Sequence, residues 1–347
     1  VKTVLVTGGA GFFGGQLLDS LLKRGFTCVS IDLEREPQSH PNLTAAKGDI
    51  RDLELLRSVC ASRQFDAVFH CAAIMAHSNR DHALLWSSNV DGTRNIAAIA
   101  KEYHIPRVIF TSSNCLWGKP MGRAVREDDT PNPVEIYGRS KWEGERILLE
   151  AASRGDFRTV IFRCPTIIGR GRLGLLSILF EFIDEGRKVW VVGDGKNIYQ
   201  FIYAGDLIDA CVQALNYEMN AVFGIGADRI ESFQEMYRAI AERARTGARI
   251  GHLPRLPAIL AMKLAHALGL SPLGPYHYKM IAEDFVFDTA AIKRELEWQP
   301  TLGNADMLWL AFEYYRSKRK EIERRTGVSA HRQTAKMGLI RVLKWLS

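Results

Sequence analysis

Tyr137 and Lys141 stand four residues apart in Tyr137-Gly138-Arg139-Ser140-Lys141, a spacing that puts both side chains on one face of a helix with the ammonium able to approach the phenol. A free tyrosine has a pKa of about 10, so roughly one phenol in a thousand is ionised at neutral pH, and lowering that pKa by ~3 units takes ~4 kcal/mol of differential stabilisation. A neighbouring lysine can supply part of it. A phenol tuned in this way can take the proton of an alcohol or return it to a carbonyl. Ser113, in Thr111-Ser112-Ser113-Asn114, can hydrogen-bond the same oxygen and hold it in line.

Proton transfer is one half of an alcohol oxidation, and the other half needs a hydride acceptor. Its binding signature stands near the N-terminus, in Thr7-Gly8-Gly9-Ala10-Gly11-Phe12-Phe13-Gly14. Glycines at 8, 11 and 14 let the chain turn tightly and bring a helix N-terminus against a pyrophosphate. There the backbone N–H groups, those of Phe12 and Phe13 among them, and the helix dipole hold the negative charge. Asp32 follows at the end of the next apolar run, where a carboxylate accepts both ribose hydroxyls of an adenosine and repels a 2′-phosphate. NAD is therefore expected rather than NADP, with Arg35 the one nearby cation that could tolerate the extra phosphate. Each motif alone is common; a Tyr-x-x-x-Lys pair usually marks a solvated helix face. Their order along one chain is what gives them weight.

The elements that must position these residues read as strand-length apolar runs alternating with amphipathic helices. Strands are expected at 3–7, 27–32, 67–71, 108–112 and 158–163, and helices from about 13, over 86–103 and over 135–152. That alternation predicts an α/β fold, a Rossmann-type doubly wound parallel sheet. Beyond Pro165 the pattern becomes irregular, with Gly and Pro punctuation, as a smaller mixed C-terminal substrate domain would have it. The expected division is a dinucleotide-binding domain over 1–165, rejoined by about 198–220 through a strand and helix near 201–215. The substrate domain takes 166–197 and 221–330, and a basic amphipathic tail takes 331–347.

With 347 residues, 47% of them hydrophobic, the chain can bury a large core, which favours an enzyme over a small binding module. The net charge of +7 arises from 46 basic and 39 acidic residues mixed along most of the sequence, and cofactor phosphates with an anionic substrate or surface account for it. No basic stripe with stacking aromatics marks a nucleic-acid partner. The six cysteines are scattered without a C-x-x-C pair and read as small buried hydrophobes in a reducing compartment, and no metal is called for. No run approaches the ~20 apolar residues of a membrane span, and Val1 leads straight into a strand, so the expected location is cytoplasmic, or peripheral to a membrane. In the tail, Met337, Ile340 and Leu343 share one helical face while Lys336, Arg341 and Lys344 lie mostly elsewhere and Trp345 sits near the boundary. That tail would pack on its own domain or a second subunit, or serve as an interfacial anchor.

These residues resemble the extended short-chain dehydrogenase/reductase family, in particular its NAD-dependent epimerase/dehydratase and 3β-hydroxysteroid dehydrogenase branches. The resemblance covers nearly the whole chain, through TGGAGFFG at 7–14, GDIRD at 48–52, HCAA at 70–73, NVDGTRN at 89–95, TSSNCLWG at 111–118, YGRSK at 137–141, GDGKN at 193–197 and FIYAGDL at 201–207, with FDTAAIKRELEWQP at 287–300. It implies a sheet of seven strands and a catalytic set of Ser113, Tyr137 and Lys141. Asp49 and Ile50 would lie by the adenine, Ala72 and Ala73 along the cofactor, and Asn89 under the cofactor-side helix. It also implies a homodimer through the helices at 86–103 and 135–152.

Departures from the family pattern bear on the substrate. Ser112, Ser113 and Asn114 stand where the family's dehydratases carry an Asp-Glu pair, which disfavours dehydration. Ile198-Tyr199-Gln200-Phe201 lacks the arginine with which many nucleotide-sugar epimerases grip the diphosphate, and Trp117 stands where they usually have Tyr. Asn114, Arg170, Arg172 and Tyr199 are the candidate substrate contacts. The leading expectation is epimerisation of a sugar nucleotide or related activated sugar by transient oxidation of a ring hydroxyl. The alternative is a net NAD-dependent dehydrogenase or reductase of a 3β-hydroxysteroid-like or lipid-linked secondary alcohol, toward which the apolar segment 256–268 points. The contrasting class is a catalytically silent nucleotide-sensing protein, against which the intact Ser113, Tyr137 and Lys141 argue.

Overall fold

Val4, Leu5 and Val6 are all fully buried, yet Val4 and Val6 belong to one apolar cluster and Leu5 to another. Successive side chains of a strand point to opposite faces, so β1 (Thr3–Thr7) must be covered on both sides. The same logic extends across a sheet that β1 forms with β2 (Thr27–Asp32), β3 (Leu43–Lys47), β4 (Ala67–His70), β5 (Arg107–Ser113), β6 (Arg158–Cys164) and one later strand. In this computed structural model the description covers residues 2–75, 81–268 and 275–322, with Arg324, Arg332 and Thr334. The basic tail residues Lys336, Met337, Ile340, Arg341, Leu343, Lys344 and Trp345 lie outside it.

The seventh strand follows β7 (Thr166–Ile168), β8 (Lys188–Val192) and β9 (Phe201–Tyr203); it is β10 (Ala221–Gly224), and β11 (Arg249–Leu253) comes after it. The large sheet runs β10-β6-β5-β4-β1-β2-β3, and every pair in it is parallel. Of the strand and helix expected to return to the first domain near 201–215, β9 pairs with β7 in a separate two-stranded sheet, while Leu207, Ile208 and Cys211 after it pack in the cluster on one face of the large sheet. The strand that completes the large sheet is β10, within the stretch assigned to the substrate domain. Phe223 lies in the cluster on one face and Val222 packs against the cluster on the other, so β10, at one edge of the sheet, is covered on both sides.

The helices are α1 (Phe12–Lys23), α2 (Leu53–Ala61), α3 (His82–Trp86), α4 (Gly92–Glu102), α5 (Ile136–Ser153), α6 (Leu176–Asp184), α7 (Ala204–Gln213), α8 (Phe233–Ala244), α9 (Arg255–Ala267), α10 (Pro275–Ala282), α11 (Ala290–Leu296) and α12 (Asn304–Ile322). Leu17, Leu21, Leu207 and Ile292 bring α1, α7 and α11 to one face of the sheet. Leu56, Ile96, Ile99 and Leu148 bring α2, α4 and α5 to the other. A second core holds α6, α8 and α12 together through Phe180, Phe182, Met236, Ile240, Leu308 and Phe312. No helix among the described residues is long and apolar enough to cross a membrane.

The helix that carries Tyr137 and Lys141 is pinned to the sheet by an ion pair. Arg163 on β6 and Glu145 on α5 meet at 2.9 Å with side chains 7% and 1% exposed, and Arg163 Nη1 also donates to the carbonyl of Glu127 at 3.0 Å. Removing one partner of a buried pair leaves the other charge unmatched, so Glu145→Ala is expected to cost about 3–5 kcal/mol in chemical denaturation; a loss below about 1 kcal/mol would contradict this role.

Candidate active site

Strand order reverses between β1 and β4, whose successors lie on opposite sides of the sheet. Ligands of open α/β sheets bind in the crevice at such a switch point, beyond the carboxyl ends of the strands. A groove stands there, lined by Gly8, Ala10, Gly11, Asp32, Asp49 and Ile50 on one side and by Cys71, Ala72, Ala73 and Ser88 on the other. Gly8 has φ +79, and a Cβ there would lie 2.8 Å from the backbone nitrogen of Ala72; only glycine lets the loop lie so close to the end of β4. Helix α1 starts from Gly11 with no side-chain cap and no acidic residue in its first turn, leaving its first N–H groups and positive dipole end for an anion. Gly14 packs in that first turn against the carbonyl of Gly8.

Asp32 is held by N–H groups of Ala10 at 3.0 Å and Glu34 at 2.9 Å, while its burial raises the carboxyl above the ordinary value. Asp49 is held below the ordinary value, chiefly by the hydrogen-bonded Arg51 guanidinium at 2.6 Å. Ser88 Oγ is buried without a hydrogen-bond partner among the described residues, the kind of atom that a bound polar ligand satisfies. The glycine cradle, uncapped helix and paired carboxylate fit a dinucleotide. Gly8, Gly11, Asp32, Asp49, Ile50, Ala72 and Ala73 are thus brought together as the sequence indicated.

A second cavity lies alongside. Ser112, Ser113, Asn114, Tyr137 and Arg172 meet there with Phe12 and Phe13 from the start of α1. Tyr137 sits in the first turn of α5, and that turn approaches the chain after β5 so closely that a Cβ on Gly138 would lie 2.2 Å from the carbonyl oxygen of Cys115. Glycine after the tyrosine therefore sets the distance between Tyr137 and Ser113. Ser113 Oγ accepts from the N–H of Cys115 at 3.1 Å, which leaves its hydrogen to donate. Ser112 Oγ is buried without a hydrogen-bond partner among the described residues; the sequence pointed to Ser113 alone.

Lys141, one turn along α5, is only 3% exposed. Its Nζ lies 3.9 Å above the centre of the Phe110 ring, a cation–π contact that offsets part of the lost hydration. Burial pushes its pKa down to about 8.

Asn89 does not line the groove. It sits in a π-helical turn, Ser87–Asp91, accepts from the N–H of Ile74 at 2.8 Å and donates to the Ile74 carbonyl at 2.9 Å and to Ser140 Oγ at 3.0 Å. Ser140 in turn donates to the Tyr137 carbonyl at 2.8 Å. Asn89 thus ties the groove's wall to α5. His70 was not anticipated as part of this framework. Thr7 Oγ1 accepts from Ala72 N–H at 3.2 Å and lies 2.8 Å from His70 Nδ1. Thr93 Oγ1 lies 2.9 Å from His70 Nε2 and donates to the Asn89 carbonyl at 2.6 Å. Those donations fix a neutral imidazole with its proton on Nε2, and burial pushes the His70 pKa down to about 3.

Two of the four expected substrate contacts stand elsewhere. Tyr199 is buried outside this cavity's lining, its hydroxyl accepting from Asn114 Nδ2. The segment lacking the family arginine is internally committed, since Gln200 donates to the Ala227 carbonyl and accepts from Phe287 N–H, both at 2.8 Å. Arg170 is exposed, and its carbonyl accepts from Gln16 at 3.4 Å. A turn closed by Arg172 N–H on the Gly169 carbonyl at 3.0 Å separates it from Arg172, which alone of the two lines the cavity. Trp117 is buried against Phe287, ring centres 5.6 Å apart, and does not line the cavity either.

The model of the NAD-dependent epimerase/dehydratase family matches residues 4–226. The uncharacterized protein y4nG of Sinorhizobium fredii (strain NBRC 101917 / NGR234) is 37% identical over 345 residues, 99% of this chain and 86% of that protein. A putative UDP-glucose 4-epimerase of Methanocaldococcus jannaschii is 28% identical over 285 residues, 78% of this chain and 93% of that protein. The crystal structure of UDP-glucose 4-epimerase from Thermotoga maritima with UDP-glucose shares the fold, with a TM-score of 0.76 at 22% identity over 91% of this chain and 99% of that one. With a dinucleotide groove at the switch point and a family match across the whole of the large sheet, the chain belongs to the NAD-dependent epimerase/dehydratase family and is an enzyme of the extended short-chain dehydrogenase/reductase type.

Proposed function

We propose that this chain is an NAD-dependent epimerase of a sugar nucleotide or related activated sugar. One observation carries the reading: Ser113 and Tyr137 share the wall of a single cavity beside the dinucleotide groove, with Lys141 buried one turn behind Tyr137. Bound NAD would supply the reversible hydride acceptor. Gly8, Gly11, Asp32, Asp49, Ala72 and Ala73 would hold it, with the first N–H groups of α1 at the pyrophosphate. Ser113 donates its hydroxyl hydrogen to the reacting oxygen and holds it in line. The ionised phenol of Tyr137 takes the proton from the ring hydroxyl as the carbonyl forms, and returns it when the opposite face is reduced. The Lys141 ammonium stabilises that phenolate, and Arg172 at the cavity wall suits an anionic part of the substrate.

The relatives named as UDP-glucose 4-epimerases support a nucleotide sugar as the substrate class. A second reading, net oxidation of a lipid-like secondary alcohol, draws on the largely apolar remainder of the wall, with Phe201, Phe233, Met236, Met280 and Leu308. The two are separated by incubating the purified protein, without added cofactor, with uridine, thymidine and guanosine diphosphate sugars and with sterols. Epimerisation predicts co-purified NAD and an epimeric sugar nucleotide with no accumulation of reduced cofactor. Turnover only on added NAD, with one equivalent reduced per alcohol consumed, would overturn it.

A further inference from the structure

Helix α9 presents an apolar face to solvent. Leu256, Leu260, Leu264 and Leu268 are 75%, 65%, 63% and 63% exposed, and Pro257, Ala261 and Ala267 are exposed with them. At about 100° per residue these seven fall within one arc of about 140°. The opposite side carries the partly buried Ala258, Ile259 and Met262 and the buried Ala265, and α9 rests on α10. There His266 meets the Tyr278 ring at 6.2 Å and Arg255 donates to the Ala282 carbonyl at 2.8 Å. Single exposed leucines are ordinary, but four in one stripe are not.

The charge along this stretch of the chain is one-sided. Between 243 and 282 the chain contains no Asp or Glu, although these make up 39 of its 347 residues. Arg249, Arg255 and Lys263 lie in that interval; all three are exposed, and Lys263 borders the arc. An apolar helical face bordered by Lys263, with no acidic residue on the helix, is the pattern that inserts at a bilayer interface, its leucines among the acyl chains and its lysine reaching headgroups. A second copy of the same face would bring two cationic margins together, whereas anionic headgroups complement them.

We propose that α9 is a docking face for an anionic lipid surface. The contact is interfacial and reversible, and it does not depend on which substrate the cavity accepts. Because α10 beneath α9 supplies Met280 to the cavity wall, docking would hold the substrate-binding side of the molecule toward the bilayer.

The test is flotation of the full chain with vesicles of phosphatidylglycerol and phosphatidylcholine, beside vesicles of phosphatidylcholine alone. The native protein is expected to float with the anionic vesicles and far less with the neutral ones. Leu260→Glu with Leu264→Glu removes two leucines from the interface, so its partition coefficient is expected to fall about a hundredfold. Both positions are exposed, so its circular dichroism and co-purified NAD should match the parent. Failure of the native protein to float with anionic vesicles would overturn the proposal. So would a double variant that floats like the parent, which would assign the contact to another surface such as residues 336–347. A doubling of mass in light scattering that the variant abolishes, without flotation, would assign α9 to a second copy and equally overturn it.

Discussion

Tyr137→Phe is expected to lower kcat by about a thousandfold on the substrate of the proposed reaction, within the range set by loss of a general acid–base group. The ring's packing at the start of α5 is kept and only the hydroxyl goes, so the melting temperature and the NAD content should stay close to the parent. The size of the effect follows from the mechanism: Ser113 can hold the reacting oxygen but, with a hydroxyl proton of ordinary acidity, cannot take up the charge. Steady-state kinetics of parent and variant give the answer. A variant within a few-fold of the parent would remove Tyr137 from the proton transfer.

Lys141→Met is expected to do two opposite things, abolishing turnover while making the cofactor-free protein more stable. Burial holds the lysine's pKa at about 8, against an ordinary 10.5. Below about pH 8 the ammonium is charged in both folded and unfolded chains, and its full desolvation penalty, about 3 kcal/mol at 1.36 kcal/mol per unit, burdens the fold. Between pH 8 and 10.5 the folded chain loses the proton first and the unfolded chain binds more, so this group makes stability rise with pH across that window. Methionine has similar length and no charge, so denaturation at pH 7 should show a gain of that order. The contribution of this site to the slope between pH 8 and 10.5 should vanish. A Lys141→Met protein less stable than the parent at pH 7 would mean that Phe110 and Glu145 compensate the buried charge in full. The enzyme would then maintain its cation without the cost argued here.

Much of this site was legible in the sequence because its parts are local. The glycines at 8 and 11 and the carboxylate of Asp32 report their own backbone environment, and a four-residue spacing on α5 suffices to pair Tyr137 with Lys141. What escaped was built from several elements at once. His70 is unremarkable in a strand end until Thr7 from β1 and Thr93 from α4 are brought to its two nitrogens, and only then does it join the groove to Asn89. The buried state of Lys141 depends on Phe110 of β5, which no spacing on α5 announces. Arg170 and Arg172 look equivalent in Gly169-Arg170-Gly171-Arg172, and a single turn separates them. Strand β3 has the pattern Leu43-Thr44-Ala45-Ala46-Lys47, half-exposed at the sheet's edge, and so shows neither a continuous apolar run nor a clean alternation. Strand β10 has four residues, too few for periodicity to identify, and it is recognised only by the clusters on both its faces.

Turnover of the proposed kind requires the Tyr137 hydroxyl and the reactive end of the dinucleotide to face the same small volume. A crystal structure of the NAD complex measures it directly. The prediction is a pyrophosphate at the start of α1, adenosine hydroxyls on Asp32, and the nicotinamide C4 within about 4 Å of the position that a substrate carbon takes beside Tyr137 Oη and Ser113 Oγ. A nicotinamide ring lying away from Tyr137, or a dinucleotide that binds outside the groove between β1 and β4, would contradict it.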